Sequence, residues 1–414
     1  MKHVCIIGSG PAGCYLADHL LRLMPDASID ILEALPVPFG LIRYGVAPDH
    51  QSTKAVARVF DRVLARDRVS FFGNVTVGCD VRLAELMSFY DTVVLATGAP
   101  RDRRLHIPGE DLAGVIGSGA FVGWYNGHPH REPPPVADVR SAVVIGNGNV
   151  AIDVARVLAK GPDELTGSDV SPQVGSWLSS QPLERIHIVG RRSAAETRFN
   201  DRELAELGTL QRAQPAVDTH DLAGEGAVVS TLRGFAGGAA RSTPLAIRFH
   251  FHLAPIAFVG ESKVEAVRFR STTGEPLEIP AQLAITCIGY ESVPCCSASP
   301  KNGCFANEAG KIEDRLYVVG WAKRGPSGTI PTNRTEAQQV AQEIVREVAD
   351  GDRRGGAGLR ELLERRGACW VDYEGWRRID EAELASAPKE RCRAKFCSTG
   401  EMLEAARTRQ LGPA

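Results

Sequence analysis

Two glycine-rich turns, each set between an apolar run and a helix-like segment, constrain this chain more than any other feature. The first reads Gly8-x-Gly10-x-x-Gly13 directly after the apolar run Val4 to Ile7, and Glu33 follows at the end of a second run, Ile29 to Leu32. The second reads Gly146-x-Gly148-x-x-Ala151 after Ala142 to Ile145, and the run after it, Ile186 to Val189, ends in Gly190-Arg191-Arg192 with no acid. Strand, turn, helix and strand in this order form a dinucleotide-binding unit. Its first Gly permits a tight turn, its second lets backbone approach a pyrophosphate, and its third lets helix and strand pack closely. The helix N-terminus then offers unpaired N–H groups and a partial positive charge to the phosphates. The expected fold class is therefore α/β with two Rossmann-like domains.

The residues that close the two units differ in charge. A carboxylate at Glu33 accepts hydrogen bonds from ribose hydroxyls, as FAD or NAD would offer, and repels a 2′-phosphate. Paired guanidiniums at Arg191 and Arg192 do the opposite, since they give charge-assisted contacts to a phosphate. The first unit thus selects against NADP and the second selects for it. Ala151, in the place of a third Gly, still allows close contact.

The chain has 414 residues, 43% hydrophobic and 24% charged, enough for two or three domains. A formal net charge of −2 gives no electrostatic case for nucleic acid or an anionic membrane. No apolar run approaches the roughly 20 residues of a membrane span. The first strand begins almost at Met1, which leaves no room for a leader, so the expected location is cytoplasmic unless a presequence has been removed. The ten cysteines include no C-x-x-C pair and no paired zinc spacing, so no metal site is expected. Cys5, Cys14 and Cys287 read as core residues. Cys295, Cys296, Cys304, Cys392 and Cys397 receive no role.

Between the motifs the reading is coarse. A Pro/Gly-rich loop, Pro36 to His50, is of the kind that carries function. A helix is expected at about 52–66, short strands at about 69–77, and a buried strand at Thr92 to Leu95 running into Ala96-Thr97-Gly98-Ala99. Residues 161–182 read as a polar insertion and about 208–245 as irregular or short-strand structure. Strands are expected at Val264 to Phe269, Leu283 to Ile288 and Leu316 to Val319. Arg324 to Thr332 reads as a turn, Glu336 to Ala349 as a helix, and Gly351 to Gly358 as a flexible linker.

Further motifs carry a resemblance over nearly the whole length. They are Ile6-Ile7-Gly8-Ser9-Gly10-Pro11-Ala12-Gly13, Pro36-Val37-Pro38-Phe39-Gly40-Leu41-Ile42-Arg43, Gly45-Val46-Ala47-Pro48-Asp49-His50, Phe121-Val122-Gly123-Trp124-Tyr125-Asn126, Gly146-Asn147-Gly148-Asn149-Val150-Ala151, Val189-Gly190-Arg191-Arg192, and Gly320-Trp321 followed by Lys323-Arg324-Gly325-Pro326. The chain resembles the adrenodoxin reductase-type ferredoxin NADP reductases, the glutathione reductase-like branch.

The resemblance implies a flavoprotein with an FAD domain from both chain ends, 1–105 and 320–414, and an NADP domain, 106–319, inserted between them. It implies that Gly8, Gly10, Pro11, Ala12, Gly13, Glu33 and Leu41 hold the FAD adenosine and diphosphate, with Val81 beside the adenine. Trp321, Gly328, Thr329 and Ile330 would line the isoalloxazine. Gly146, Asn147, Gly148, Asn149 and Val150 would lie over the NADP pyrophosphate, Arg191 and Arg192 on the 2′-phosphate, and Glu203 as a further NADP(H) contact. His50 and Glu206 match a polar pair beside the flavin; either they poise its electrostatics or relay its proton, or His50 is a structural hydrogen-bonder. Trp321 is a platform for the nicotinamide or a core residue, and the resemblance favours the platform.

The implied function is hydride transfer from NADPH to FAD, then single electrons to a ferredoxin or similar iron–sulfur carrier. Two other readings stand beside it: direct reduction of a small organic or quinone acceptor, and a non-enzymatic nucleotide-occupied redox sensor. The chain departs from the family where 208–245 is short and nearly uncharged, where Pro331 replaces a small residue, and where Cys295-Cys296 occupies a loop usually containing Pro and acids.

Overall fold

The computed structural model describes residues 1–219, 222–238, 243–272, 274–295, 299–348 and 351–407. Two compact units emerge: one of Met1–Val46, His50–Arg101 and Tyr290–Ala414, the other of Ala47–Asp49 and Asp102–Gly289.

The first unit is built on a six-stranded sheet in the order Lys311–Glu313, Leu316–Val318, Thr92–Leu95, His3–Ile7, Ser28–Glu33, Val69–Gly73. All its pairings are parallel except that of Lys311–Glu313 with its neighbour. Its central strands are mostly apolar on both faces, as a sheet covered on both sides requires, with Asp30 a buried exception. Val4, Ile6, Ile29 and Ile31 pack with helices Pro11–Leu23, Ala57–Leu64 and Ile330–Glu347 in one buried cluster. Their alternating neighbours Cys5, Ile7 and Leu32 join Val93 and Val318 in a second cluster with Leu86 and Leu359. The period-two split between clusters is the strand geometry itself.

The second unit repeats the plan. Its sheet runs Val115–Gly117, Leu283–Thr286, Ser141–Ile145, Arg185–Val189, Leu245–His250, Ala213–Val217, all parallel. One face packs on helix Asn149–Ala159 through Ala142, Val144, Ile186 and Ile188. The other, through Val143, Ile145 and Val189, is covered by a three-stranded antiparallel sheet, Leu253–Val259, Ala266–Ser271 and Pro276–Pro280, which supplies Phe258, Val267, Phe269 and Ile279.

Several local expectations change. Residues 351–358 are not a linker throughout: Gly355–Arg365 is a helix with Gly355, Gly356 and Gly358 buried. A Cβ on Gly356 would stand 2.7 Å from Asp30 Oδ2 and one on Gly358 2.8 Å from Phe89, so these glycines serve close packing. The irregular stretch expected at 208–245 contains strand Ala213–Val217 and helix Ala227–Gly237, anchored by buried Val229 and Leu232; residues 220–221 and 239–242 lie outside the described residues. The helix expected at 52–66 is two, Gln51–Lys54 and Ala57–Leu64, and 69–77 holds one strand, Val69–Gly73. The polar insertion contains helix Pro172–Ser180, capped by Ser171. The helix expected from 336 starts at Ile330. Pro331 falls in its first turn, where the missing N–H has no intrahelical acceptor to lose, so the helix accommodates it. The second changeover between units falls at 289/290, whereas the sequence reading placed a boundary near 320; Leu316–Val318 pairs with Thr92–Leu95 in the first unit's sheet.

The nine described cysteines are free; Cys296 lies outside the described residues. Among the described residues no helix is long and apolar enough to cross a membrane.

Candidate functional site

In the first unit the fingerprint glycines are required in two distinct ways. A Cβ on Gly8, whose φ is +112°, would stand 2.4 Å from Ala96 O, and one on Gly13 2.2 Å from Gly8 O. These two permit the turn and the helix packing. A Cβ on Gly10 would meet nothing within 4 Å. That open side is where the backbone can face a diphosphate, at the start of a helix whose N-cap, Gly10, offers no side-chain acceptor to the first N–H groups.

Ser9 ties this turn to Glu33. Its hydroxyl donates to Glu33 Oε2 at 2.6 Å and its N–H at 3.2 Å, while Leu35 N–H reaches Oε1 at 3.3 Å. Ala34 N–H is a further donor to the same carboxylate, and the Glu33 side chain is half-buried rather than closed off, so a ribose hydroxyl can still approach it. Burial pushes the Glu33 acid above the ordinary range, and the bonds from Ser9 and Leu35 oppose that rise. Phe39 N–H donates to Ser9 O at 3.2 Å, and a Cβ on Gly40 would stand 3.3 Å from Gly10 Cα. Phe39-Gly40 thus folds onto the fingerprint, and Leu41 after it is exposed. Thr97, just past strand Thr92–Leu95, has a buried hydroxyl with no protein partner. The open turn, the uncapped helix and this orphan hydroxyl fit a bound dinucleotide.

The other expected residues of this unit fall as follows. Val81 is fully buried, its side chain packed in the core cluster with Phe72 and Leu83. Pro11 and Ala12 open helix Pro11–Leu23. Gly320, with φ +74°, comes so near that helix that its Cβ would stand 2.5 Å from Ala12 Cβ. Trp321 follows it, half-buried, with its indole N–H on Ser327 O at 3.1 Å and its ring stacked on Tyr290, centroids 5.8 Å apart. Gly328 and Thr329 are exposed and Ile330 half-buried, at the N-terminus of helix Ile330–Glu347. His50 accepts Thr53 and Lys54 N–H on its carbonyl at the head of the short helix Gln51–Lys54.

In the second unit Gly146, φ +144°, stands where a Cβ would be 2.3 Å from Cys287 O, while Gly148 again opens onto free space. Helix Asn149–Ala159 has no side-chain cap at Gly148. The Asn147 amide lies over Gly190, and both its oxygen and its nitrogen are buried with no protein partner. An orphan amide inside a phosphate-type turn fits a ligand that supplies the missing hydrogen bonds. Arg191 and Arg192 follow Gly190 and are exposed. The next segment is held by the fingerprint: Arg198 N–H donates to Asn147 O at 2.7 Å, and Asn200 N–H to Asn149 Oδ1 at 2.9 Å. Asn200 in turn caps helix Asp201–Glu206 through Glu203 N–H at 2.8 Å, which places Glu203 and Glu206 beyond the same turn.

Sequence reasoning missed the charged cluster around Arg156. This guanidinium, 2% exposed, pairs with Asp49, with Asp153 at 2.7 Å and with Glu206 at 3.4 Å, and Lys160 reaches Asp49 at 2.5 Å. Burial alone would raise the Asp49 carboxyl, but Arg156 and Lys160 bring it down to about 2. Asp49 was visible in a motif; its partners on the fingerprint helix gave no separate signal. Ser9 was visible in a motif too, without a role, and Glu336 was unmarked.

Two nucleotide-type turns of unlike charge, each on a predominantly parallel sheet, define a two-dinucleotide oxidoreductase. The sequence model of the pyridine nucleotide-disulphide oxidoreductase family matches residues 2–207. The mitochondrial NADPH:adrenodoxin oxidoreductase of Salvelinus fontinalis is 35% identical over 98% of this chain and 91% of its own length. NADPH-ferredoxin reductase FprA of Mycobacterium tuberculosis is 37% identical over 97% of this chain and 98% of its own. The structure of Mycobacterium tuberculosis FprA in complex with NADPH superposes with a TM-score of 0.94 at 35% identity, covering 99% of this chain and 100% of that one. The chain belongs to the adrenodoxin reductase-type ferredoxin NADP reductase family.

Proposed function

We propose that this chain accepts hydride from NADPH through a bound FAD and passes the electrons singly to a ferredoxin-like iron–sulfur carrier. The observation that carries the reading is the contrast at the ends of two like units: Glu33 tied to its turn by Ser9, and Arg191-Arg192 exposed beyond theirs. A carboxylate suits a ribose without a 2′-phosphate, and two guanidiniums suit one with it. The relatives named for NADPH, ferredoxin and adrenodoxin support the same pairing of donor and acceptor.

When bound, FAD supplies the conversion of a two-electron donor into one-electron steps. The side chains orient and shield. Gly8, Gly10, Pro11, Ala12, Gly13, Glu33 and Leu41 hold the FAD, with the buried Val81 in the wall beside its adenine; Gly146, Asn147, Gly148, Asn149, Val150 and Glu203 hold the NADPH, with Arg191 and Arg192 on its 2′-phosphate. Trp321, Gly328, Thr329 and Ile330 form the surface against which the reacting rings align, and alignment with exclusion of water is the main catalytic contribution. His50 and Glu206 are the polar pair assigned to the flavin edge; Arg156 fixes the Glu206 carboxylate at 3.4 Å. The free described cysteines agree with a reducing compartment, and we assign the protein to the cytoplasm.

Anaerobic mixing with NADPH or NADH, followed by ferredoxin, tests the reading. Bleaching of the flavin by NADPH and fast reoxidation by ferredoxin are expected. Bleaching with no transfer to any ferredoxin points to a small-molecule acceptor, and no bleaching removes the hydride step.

A further inference from the structure

Resting on the reading that Trp321 and Gly328 to Ile330 face the flavin, we propose that Glu336 is the positioning residue that holds this turn in register for hydride transfer. Glu336 lies in the second turn of helix Ile330–Glu347 and is only 7% exposed. Its Oε2 accepts the Gly320 N–H at 3.0 Å and the Arg324 guanidinium, and its Oε1 accepts Lys323 Nζ at 3.2 Å. Arg324 extends the chain of contacts, donating from Nε to Ser327 O at 3.0 Å and from Nη2 to Asn333 Oδ1 at 3.0 Å. Ser327 O is also the acceptor for the Trp321 indole at 3.1 Å.

One carboxylate therefore reaches the beginning of the turn directly, its middle through two cations, and its end and the indole through Arg324. The start of the turn, the short helix Trp321–Arg324, is also held by its own backbone bonds and by buried Ala322, whose carbonyl accepts Phe305 N–H at 2.8 Å; among these contacts Glu336 is the one that ties Gly320, Lys323 and Arg324 together. The turn contains glycines with positive φ at Gly320, Gly325 and Gly328, and Gly328 and Thr329 are exposed. Its start is also pinned from the opposite side, where Gly320 meets Ala12 of the first fingerprint helix. Glu336 thus couples the placement of the indole to the helix that begins at the first nucleotide turn. It further neutralises Lys323 and Arg324, half-buried cations whose uncovered charge would favour a more negative, reduced flavin nearby.

Glu336→Gln retains an acceptor for Gly320 N–H and removes the charge. In the FAD-loaded protein it is expected to slow hydride transfer from NADPH about ten- to a hundredfold and leave the NADPH dissociation constant within about twofold. It is also expected to raise the flavin midpoint potential and change the visible circular dichroism of the flavin. Adding Arg324→Gln returns the potential towards its original value. Should Glu336→Gln fail to fold, Lys323→Gln with Arg324→Gln loosens the same turn from its outer side and is read by transfer rate and dichroism. A folded Glu336→Gln protein with unchanged transfer, potential and dichroism overturns the inference. Trp321→Ala separates the two levels. If it changes transfer and dichroism while Glu336→Gln is silent, only the role of Glu336 falls. If both are silent, the flavin-facing placement of the turn falls and the inference falls with it.

Discussion

The two fingerprint turns share a backbone and differ in how they are closed. In the first, Ser9 joins the turn to Glu33, and Phe39-Gly40 folds down onto Ser9 and Gly10. In the second, the strand end is left as exposed Arg191 and Arg192, with the Asn147 amide unsatisfied beneath. Both turns are bonded to neighbouring segments and both have a buried polar group without a protein partner, Thr97 beside the first and Asn147 in the second; they differ in that the acid closing the first is bonded to its own turn and the guanidiniums closing the second are exposed. In the proposed reading that is the difference between an FAD site and an NADPH site, which a shared fold alone would not distinguish.

Substitutions at the glycines are expected to break the comparison most severely. Gly8→Ala forces a Cβ to 2.4 Å from Ala96 O at φ +112°, and a loss of about 3 kcal/mol in unfolding free energy is expected for the first unit. Gly10→Ala has free space for its Cβ; its stability should be nearly unchanged while FAD retention falls. Urea unfolding and the flavin content of purified protein read both. Equal destabilisation by the two would mean that Gly10 is structural and that the open side is not a ligand face.

Acid is expected to separate the units by a smaller amount. His187 Nδ1 lies 2.9 Å from His250 Nε2 on adjacent strands of the second unit. Burial, with His250, Arg248 and Arg185 nearby, brings His187 down to about 4. The unfolded chain takes its proton near 6.5, before the folded one, so this contribution is complete above about pH 6.5 and is lost progressively towards pH 4. Between pH 7 and 5 His187 should cost the second unit about 2 kcal/mol. In the first unit burial raises the Glu33 and Asp30 acids, so the folded form takes those protons first and acid relieves a penalty there. His128 in the second unit is likewise brought down to about 4, by burial with Arg131 and His130 nearby, while burial also lowers His19 in the first unit. Limited proteolysis across a urea series at the two pH values should therefore show the second unit weakening more than the first, and His187→Gln should remove about half of the second unit's pH dependence. A parallel loss in both units would contradict this.

What was legible in the sequence was local. The spacing Gly8, Gly10, Gly13 and the charge of Glu33 or Arg191 are properties of a short segment, and the fold uses them where the pattern put them. What was illegible depends on distant partners. Gly355 to Gly358 read as a linker because composition does not show Asp30 and Phe89 approaching within the space of a side chain. Helix Ala227–Gly237 was missed because its small residues carry little periodicity beyond Val229 and Leu232. Glu336 looks like any helix surface acid until the chain returns its partners Gly320, Lys323 and Arg324. Pro331 did carry a readable signal, since Pro belongs in a helix's first turn, yet the preceding glycines suggested a longer loop.

The central claim, that charge beyond the second turn assigns it to NADPH, is tested most directly by measuring NADPH and NADH affinity of the FAD-loaded protein with Arg191→Ala and Arg192→Ala combined. Loss of two charge-assisted contacts, about 3 kcal/mol in all, should weaken NADPH roughly 100-fold and leave NADH within about twofold. Equal weakening of both nucleotides, or none, would contradict the assignment.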